Sequence, residues 1–362
     1  MNTKLNIGVV GCGYWGPNLI RNFNSLQDCH VKMMCDVDAQ RLKHLKSVYP
    51  DVEGVMDYDH MLDGSELDAI VIATSVRHHF WMAKKSLEAG KHTFIEKPMA
   101  ASVEECDELI EIARRNGLVL MVGHTFLYSA PVRKIKELVD KGEIGDIQYI
   151  SSRRLNLGLF QKDINVAWDL APHDLSIVLH IMNEDPSSVN CWGNAHIKPG
   201  IQDVTSMSVN FPGERFATIQ SSWLDPRKVR DMTIVGTKKM IVYDDMEPLE
   251  KIKVYDARVE VPPHYDTFAE FQYAYHYGDR FVPYLKLYEP LKEECQHFLN
   301  CILDGGEPMT SGHKGREVVR ILEAANASLG QNGASIVFDR TDTRPWFGRV
   351  PKESSLEFSE FH

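Results

Sequence analysis

The feature that most constrains this chain is the run Gly11-Cys12-Gly13-Tyr14-Trp15-Gly16, which directly follows the apolar segment Leu5-Asn6-Ile7-Gly8-Val9-Val10. Each glycine has its own steric task. Gly11 permits a tight turn, Gly13 lets backbone N–H groups approach a pyrophosphate, and Gly16 lets a helix pack close on the strand. The helix that starts here presents the positive end of its dipole to the phosphates. A second apolar run, Val31 to Cys35, ends in Asp36, 20 residues after Gly16. A carboxylate at the tip of a second strand accepts hydrogen bonds from both ribose hydroxyls and repels a 2′-phosphate. The pattern therefore predicts a strand–turn–helix–strand unit that holds NAD in preference to NADP. Tyr14 and Trp15 stand where they can pack over the cofactor or join the core.

Alternation continues beyond this unit. Short apolar strands are expected at 5–10, 31–36, 69–73, 92–95 and 118–122, with a weaker one near 52–56. Helical patterns fill 15–26, 38–48, 78–89 and 103–116, and Ser102 with Glu105 forms a capping-box signature. Buried-looking strands alternating with helices imply a doubly wound parallel sheet, a Rossmann-type α/β domain over residues 1–122. From residue 123 the pattern changes. A helix (130–141) precedes a strand (147–157), an amphipathic segment (168–182), and strand-like runs at 188–197, 203–211, 215–224, 229–236 and 239–244. Two late helices (290–303 and 314–329) follow. Residues 123–362 are thus expected to form an α+β domain with a large, mostly antiparallel, open-faced sheet. The aromatic stretch 264–288 has no clear period and reads as an ordered loop, and 350–362 as a loose tail.

Composition narrows the function. A net charge of −11 supplies no basic surplus for a general nucleic-acid binder. It leaves room for an anionic small substrate in a locally basic pocket. The seven cysteines are scattered without a CxxC pair, so no metal site is expected and reduced thiols in a cytoplasm fit best. The first strand starts within a few residues of Met1, leaving no room for a signal peptide, and no apolar run is long enough to span a membrane.

Two clusters carry the candidate chemistry. The fifth strand ends in Phe94-Ile95-Glu96-Lys97-Pro98, and ligands of an open parallel sheet lie beyond the carboxyl ends of its strands. Lys97 is therefore expected beside the cofactor, although a lysine after a strand is also a common surface residue. The second cluster is Trp168-Asp169-Leu170-Ala171-Pro172-His173-Asp174. Asp169 and His173 are four apart and share one helical face, where a carboxylate can orient an imidazole that acts as a general base. Pro172 suits a first helical turn, so the helix is expected to start near Asp169. A capping Asp169 with a packed His173 is the alternative reading.

Together these residues resemble the Gfo/Idh/MocA oxidoreductases, named for glucose–fructose oxidoreductase and inositol dehydrogenase. The glycine turn, the Glu96-Lys97-Pro98 signature and the Asp169-x-x-x-His173 pair occur in the family's order, and the resemblance covers nearly the whole chain. It implies that Lys97, Asp169 and His173 form the catalytic set between the two domains, and that sheet-to-sheet homodimers or homotetramers form. The family's fourth-strand motif reads Thr-Pro followed by a histidine. Here Thr74 and His79 match as cofactor contacts together with Glu96, while Ser75 replaces the proline. The segments Gly13–Asn18, Gly123–Phe126 and Asn165–Asp174 look like members acting on nucleotide-activated sugars. Such members oxidise a ring hydroxyl, often at C3. His124, Tyr128, Asn165 and Trp168 are accordingly expected to border the sugar or its activating group. Arg153 and Arg154 lie on one strand and face opposite ways, so only one can reach the site; Arg153 is carried as the candidate.

The expected reaction is hydride transfer between a secondary hydroxyl of a nucleotide-linked sugar and NAD. His173 takes the hydroxyl proton, Lys97 donates to the reacting oxygen, and Asp169 either orients His173 or binds the sugar. A dehydrogenase of a free sugar, sugar phosphate or inositol is the alternative enzyme, and a catalytically silent NAD-binding regulator the alternative of another class.

Overall fold

The computed structural model describes residues 4–63, 66–260 and 274–338. The first unit contains β1 (Leu5–Val10), α1 (Gly16–Asn24), β2 (Cys29–Cys35), α2 (Ala39–Val48), β3 (Glu53–Val55) and α3 (Tyr58–Leu62). It continues with β4 (Ala69–Ile72), α4 (Val76–Glu88), β5 (His92–Glu96), α5 (Val103–Asn116) and β6 (Leu120–Gly123). All six strands pair in parallel in the order β3-β2-β1-β4-β5-β6. β1 and β4 are almost wholly buried because helices cover both faces of the sheet, so their sequences are continuous apolar runs. The strand order reverses between β1 and β4, which opens a crevice beyond their carboxyl ends. Half of the expected capping box is present: Ser102 Oγ accepts from Glu105 N at 3.1 Å, while Glu105 Oε2 accepts from Ala101 N at 2.9 Å rather than from Ser102 N. Gly117, in the left-handed region, ends α5.

A 3₁₀ turn (Thr125–Tyr128) and α6 (Ala130–Asp140) lead into a nine-stranded sheet. Its strands are β7 (Ile147–Leu157), β8 (Ser188–Asn194), β9 (Val204–Phe211), β10 (Arg215–Ser222), β11 (Leu224–Gly236), β12 (Met240–Asp244), β13 (Ile252–Glu260), β14 (Ala274–Phe281) and β15 (Ile336–Val337). They run in the order β14-β13-β12-β11-β7-β10-β9-β8-β15, and every pair is antiparallel except β7 with β10. One face is covered by α7 (Val166–Met182), which packs on β7, β9 and β10. The opposite face carries exposed aromatics, including stacked Tyr149 and Phe216 with centroids 5.6 Å apart. The last helices, α8 (Pro290–Asp304) and α9 (Gly312–Gly330), return to the first unit, α8 against α1 and α9 against α5 and β6. No helix among the described residues is long and apolar enough to cross a membrane.

Three elements differ from the sequence expectation. The aromatic stretch 264–288 is not wholly loop: its residues 274–281 form β14, paired antiparallel with β13, itself a strand not anticipated. β14 is the edge strand and almost wholly exposed, so no apolar period marks it, and β13 buries only Ile252 and Val254 at its start, too short a run to show one. The expected tail 350–362 lies outside the described residues. Finally, α7 begins at Val166 rather than near Asp169. Asn165 caps it by accepting from Trp168 N at 3.1 Å, and Pro172 sits inside the helix. Capping chemistry here outweighs the proline's preference for a first turn.

Candidate active site

The glycine turn and Asp36 form one hydrogen-bonded unit. Gly11 N donates to Cys35 O at 2.8 Å, and Cys12 N donates to Asp36 Oδ2 at 2.6 Å. Asp36 Oδ1 accepts from Asp38 N at 2.8 Å, so the carboxylate, only 7% exposed, is held rigidly at the strand tip. Gly11 has φ +93°, and a Cβ there would lie 2.6 Å from Ala73 O; one at Gly16 would lie 1.8 Å from Gly11 O. Only glycine fits either position. Gly13 faces open space, its nearest neighbour being Arg41 at 3.6 Å. This is the cradle a pyrophosphate requires, with the start of α1 behind it.

A cavity of about 850 Å³ extends from this turn over Asp36, Arg41 and Ser75. A second, of about 680 Å³, contains Glu96, Lys97, Asp169 and His173. Both are lined by Tyr14, Trp15, Ala73 and Thr74, so they form one continuous cleft. Tyr14, 91% exposed, overhangs the junction, whereas Trp15 is tied down by donating its indole N–H to Glu96 Oε1. Arg41 lies 3.6 Å from Asp36.

Lys97 enters the second cavity from the end of β5 and donates from Nζ to Asp169 O at 2.9 Å. Pro172 has no N–H to offer Trp168 O four residues back, the carbonyl next to the one that Lys97 bonds. Burial lowers the Lys97 pKa, opposed by Asp169 and Glu96. Burial also raises Glu96 to about 7, although Lys97 and the Trp15 N–H oppose it. His173 is held well below its ordinary value, chiefly by burial and then by the Lys97 charge. Its imidazole is therefore neutral near pH 7, and its ring stands edge-on to Phe126 at 5.1 Å. The Asp169 carboxylate does not bond to His173. Its Oδ2 accepts from Trp223 Nε1 at 3.0 Å, while His173 Nδ1 is buried with no partner among the described residues.

Several sequence candidates fall elsewhere. Arg153, on the outer face of β7, is about half exposed and paired with Asp231. Of the two neighbours it is Arg154 that lines the cavity, locked to Asp174 at 2.7 and 3.2 Å and lying 4.7 Å over the Phe126 ring. Strand alternation made the choice binary, but the facing partner Asp174 decides it, and that contact spans β7 and α7. Tyr128 is wholly buried and shares a hydrogen bond with Thr310 Oγ1, away from the cleft. His124 is 1% exposed with both ring nitrogens unpaired, and burial pushes its pKa to about 3. Asn165 and Trp168 line a separate pocket on the flank of α7. His79 is buried and reaches two carbonyls, Pro98 O at 2.8 Å and Thr74 O at 3.0 Å, so it clamps two loops of the cleft rather than opening into it. Thr125 and Phe126, within the segment Gly123–Phe126, also line the cavity, as do Lys228, Arg230 and Asp245, which no local spacing singles out. No group of three or more metal-ligating side chains occurs among the described residues.

The first sheet and its glycine cradle define a dinucleotide-dependent oxidoreductase. Residues 5–124 match the oxidoreductase family with an NAD-binding Rossmann fold, and residues 132–242 match the GFO/IDH/MocA C-terminal domain. The chain belongs to the Gfo/Idh/MocA family and uses NAD. It is 26% identical over 345 residues to the uncharacterized oxidoreductase YrbE of Bacillus subtilis, covering 91% of this chain and 95% of that protein. It is 23% identical over 352 residues to the myo-inositol 2-dehydrogenase of Thermotoga maritima, covering 90% and 96% respectively. The structure of UDP-N-acetylglucosamine 3-dehydrogenase GnnA from Acidithiobacillus ferrooxidans superposes with a TM-score of 0.75 at 22% identity. It covers 91% of this chain and 99% of that one, a likeness of fold.

Glu96 gives a pH test of the buried site. Its folded pKa, about 7, lies above the ordinary 4.5, so the stability it contributes is fully present below pH 4.5 and lost as pH rises through 7. The Tm of the wild type relative to Glu96→Gln should fall steadily between pH 5 and 7.5 and level off above. A flat difference across that range would show Glu96 to be ionised when folded, as it is when unfolded.

Proposed function

We propose that this protein oxidises a secondary hydroxyl, at C3, of a nucleotide-activated sugar. The observation that carries the reading is the convergence of Lys97, Asp169 and His173 on one cavity continuous with the glycine cradle. NAD bound along Gly11, Gly13, Gly16 and Asp36 supplies the hydride acceptor. Neutral His173 takes the hydroxyl proton. Lys97 Nζ donates to the reacting oxygen and stabilises the negative charge that develops there. Asp169, with one oxygen held by Trp223, offers the other to a sugar hydroxyl, which favours substrate binding over orientation of His173. Arg154 and Asp174 keep the wall of the cavity rigid behind Phe126.

The nucleotide-linked substrate is supported by the fold likeness to a UDP-N-acetylglucosamine 3-dehydrogenase and by the cationic groups of the cavity. The relationship to a myo-inositol 2-dehydrogenase favours the second reading, a neutral polyol. Purified enzyme with NAD, offered UDP- and dTDP-hexoses beside free sugars and inositols, should raise NADH absorbance with a nucleotide sugar. A rise confined to inositol or free sugars would replace this reading by the second. Seven free, buried thiols support a reducing cytoplasm, and the exposed aromatic sheet face supports a homodimer or homotetramer.

Asp36 sets the cofactor choice in this account. Asp36→Ala removes the ribose acceptor and leaves Arg41 beside the position of a 2′-phosphate. Loss of hydrogen bonds to a charged group costs about 1.5–3 kcal/mol, so Kd for NAD should rise roughly 10–100-fold while NADP binding improves. An unchanged NAD/NADP ratio in fluorescence titrations would remove Asp36 from the ribose site.

A further inference from the structure

We propose that Lys228 and Arg230 form an anion subsite at the mouth of the reaction cavity, which binds phosphate or carboxylate oxygens of the substrate. The proposal rests on reading this cavity as the sugar site. It begins with a break in the sheet. β11 pairs with β7 at Val229↔Leu155 and next at Leu224↔Leu157. Residues 225–228 of β11 therefore stand opposite Asn156 alone. Such a bulge re-aims the side chains it carries. Asp225 fixes its shape by accepting from Arg227 N at 2.9 Å, and Lys228 and Arg230 line the cavity that holds Lys97 and His173.

The charges of this cavity are unevenly committed. Arg154 is locked to Asp174, and Lys97 is bonded to Asp169 O. Arg230 is held only loosely, 3.6 Å from Asp245, which Lys251 also approaches at 3.7 Å. Lys228 is exposed and has no ion-pair partner within 4.0 Å among the described residues. On a chain with net charge −11, the long-range field opposes an anionic ligand, so binding one requires local cations. An uncommitted lysine beside a half-committed arginine meets that requirement, and a neutral polyol makes no use of it. Phosphate and carboxylate share this chemistry, and two inhibitors separate them: UDP carries a diphosphate and free glucuronate a carboxylate.

The test measures steady-state kinetics of wild type, Lys228→Glu, Lys228→Ala and Lys228→Arg with the nucleotide sugar that is turned over. For Lys228→Glu we expect KM to rise roughly 10–100-fold, kcat to stay within about threefold, and Kd for NAD to be unchanged. Lys228→Arg should restore KM, and added salt should raise the wild-type KM more than that of Lys228→Ala. Competitive inhibition of wild type by UDP, weakened in Lys228→Glu, assigns the subsite to phosphate; the same behaviour with glucuronate assigns it to carboxylate. Turnover of a nucleotide sugar with KM unmoved in Lys228→Glu overturns the subsite and leaves the functional reading intact. Turnover restricted to neutral sugars or inositols, with KM unmoved and neither inhibitor bound, overturns both.

Discussion

Lys97→Ala should lower kcat by roughly two to four decades while Kd for NAD stays within about threefold of wild type. The reasoning is local. Lys97 Nζ reaches the cavity from the carboxyl end of β5, the side of an open parallel sheet on which ligands bind. The donor role proposed for it is electrostatic, and a donor removed from the reacting oxygen costs the transition state more than the ground state. The cofactor cradle is built from Gly11, Cys12 N and Asp36 on the other half of the cleft, so cofactor binding does not depend on the ammonium. Loss of the bond to Asp169 O also frees the turn of α7 before Pro172. For that reason Lys97→Arg, which restores a donor but not the shape, should recover little activity. Turnover near the wild-type rate in Lys97→Ala would show that the reacting oxygen is stabilised elsewhere.

His173→Ala should produce a loss of the same order, about two to four decades in kcat, since it removes the proposed proton acceptor. His173→Asn, similar in size, should be equally slow and thereby separate packing from proton transfer. The pH profile gives a sharper signature. Burial and the Lys97 charge hold His173 well below its ordinary 6.5, so the base is already unprotonated at neutral pH. The acid limb of kcat/KM for alcohol oxidation should therefore fall well below pH 6.5. An acid limb centred at 6.5 or above would contradict a desolvated base beside Lys97. The same depression makes ketone reduction the harder direction near pH 7, because it requires the protonated imidazole.

Much of the first domain was legible in the sequence, for a physical reason. Parallel strands covered on both faces are continuous apolar runs, and the glycine turn is sterically obligatory, as Gly11 and Gly16 show. The candidate catalytic positions were legible as motifs, but their partners were not. Spacing of four suggested that Asp169 would orient His173, yet the carboxylate is taken by Trp223, 54 residues away in sequence. The preference of Pro172 for a first turn points to a helix start near Asp169, whereas the Asn165 side chain caps a helix that starts at Val166. The choice between Arg153 and Arg154 is not legible because sequence shows alternation but not which face meets α7. The edge strand β14 is not legible because exposure on both faces erases the period of two, and β13 shows only the short alternation Ile252, Val254.

The central claim is that the cavity of Lys97 and His173 passes hydride from C3 of a nucleotide sugar to NAD. The most direct test is isotopic: incubate the enzyme with NAD and UDP- and dTDP-hexoses deuterated at C3, and determine the mass of the reduced cofactor. The account predicts reduced cofactor one mass unit heavier than NADH, formed by wild type and lost in Lys97→Ala and His173→Ala. Unlabelled NADH, or labelled cofactor formed equally by those variants, would contradict it.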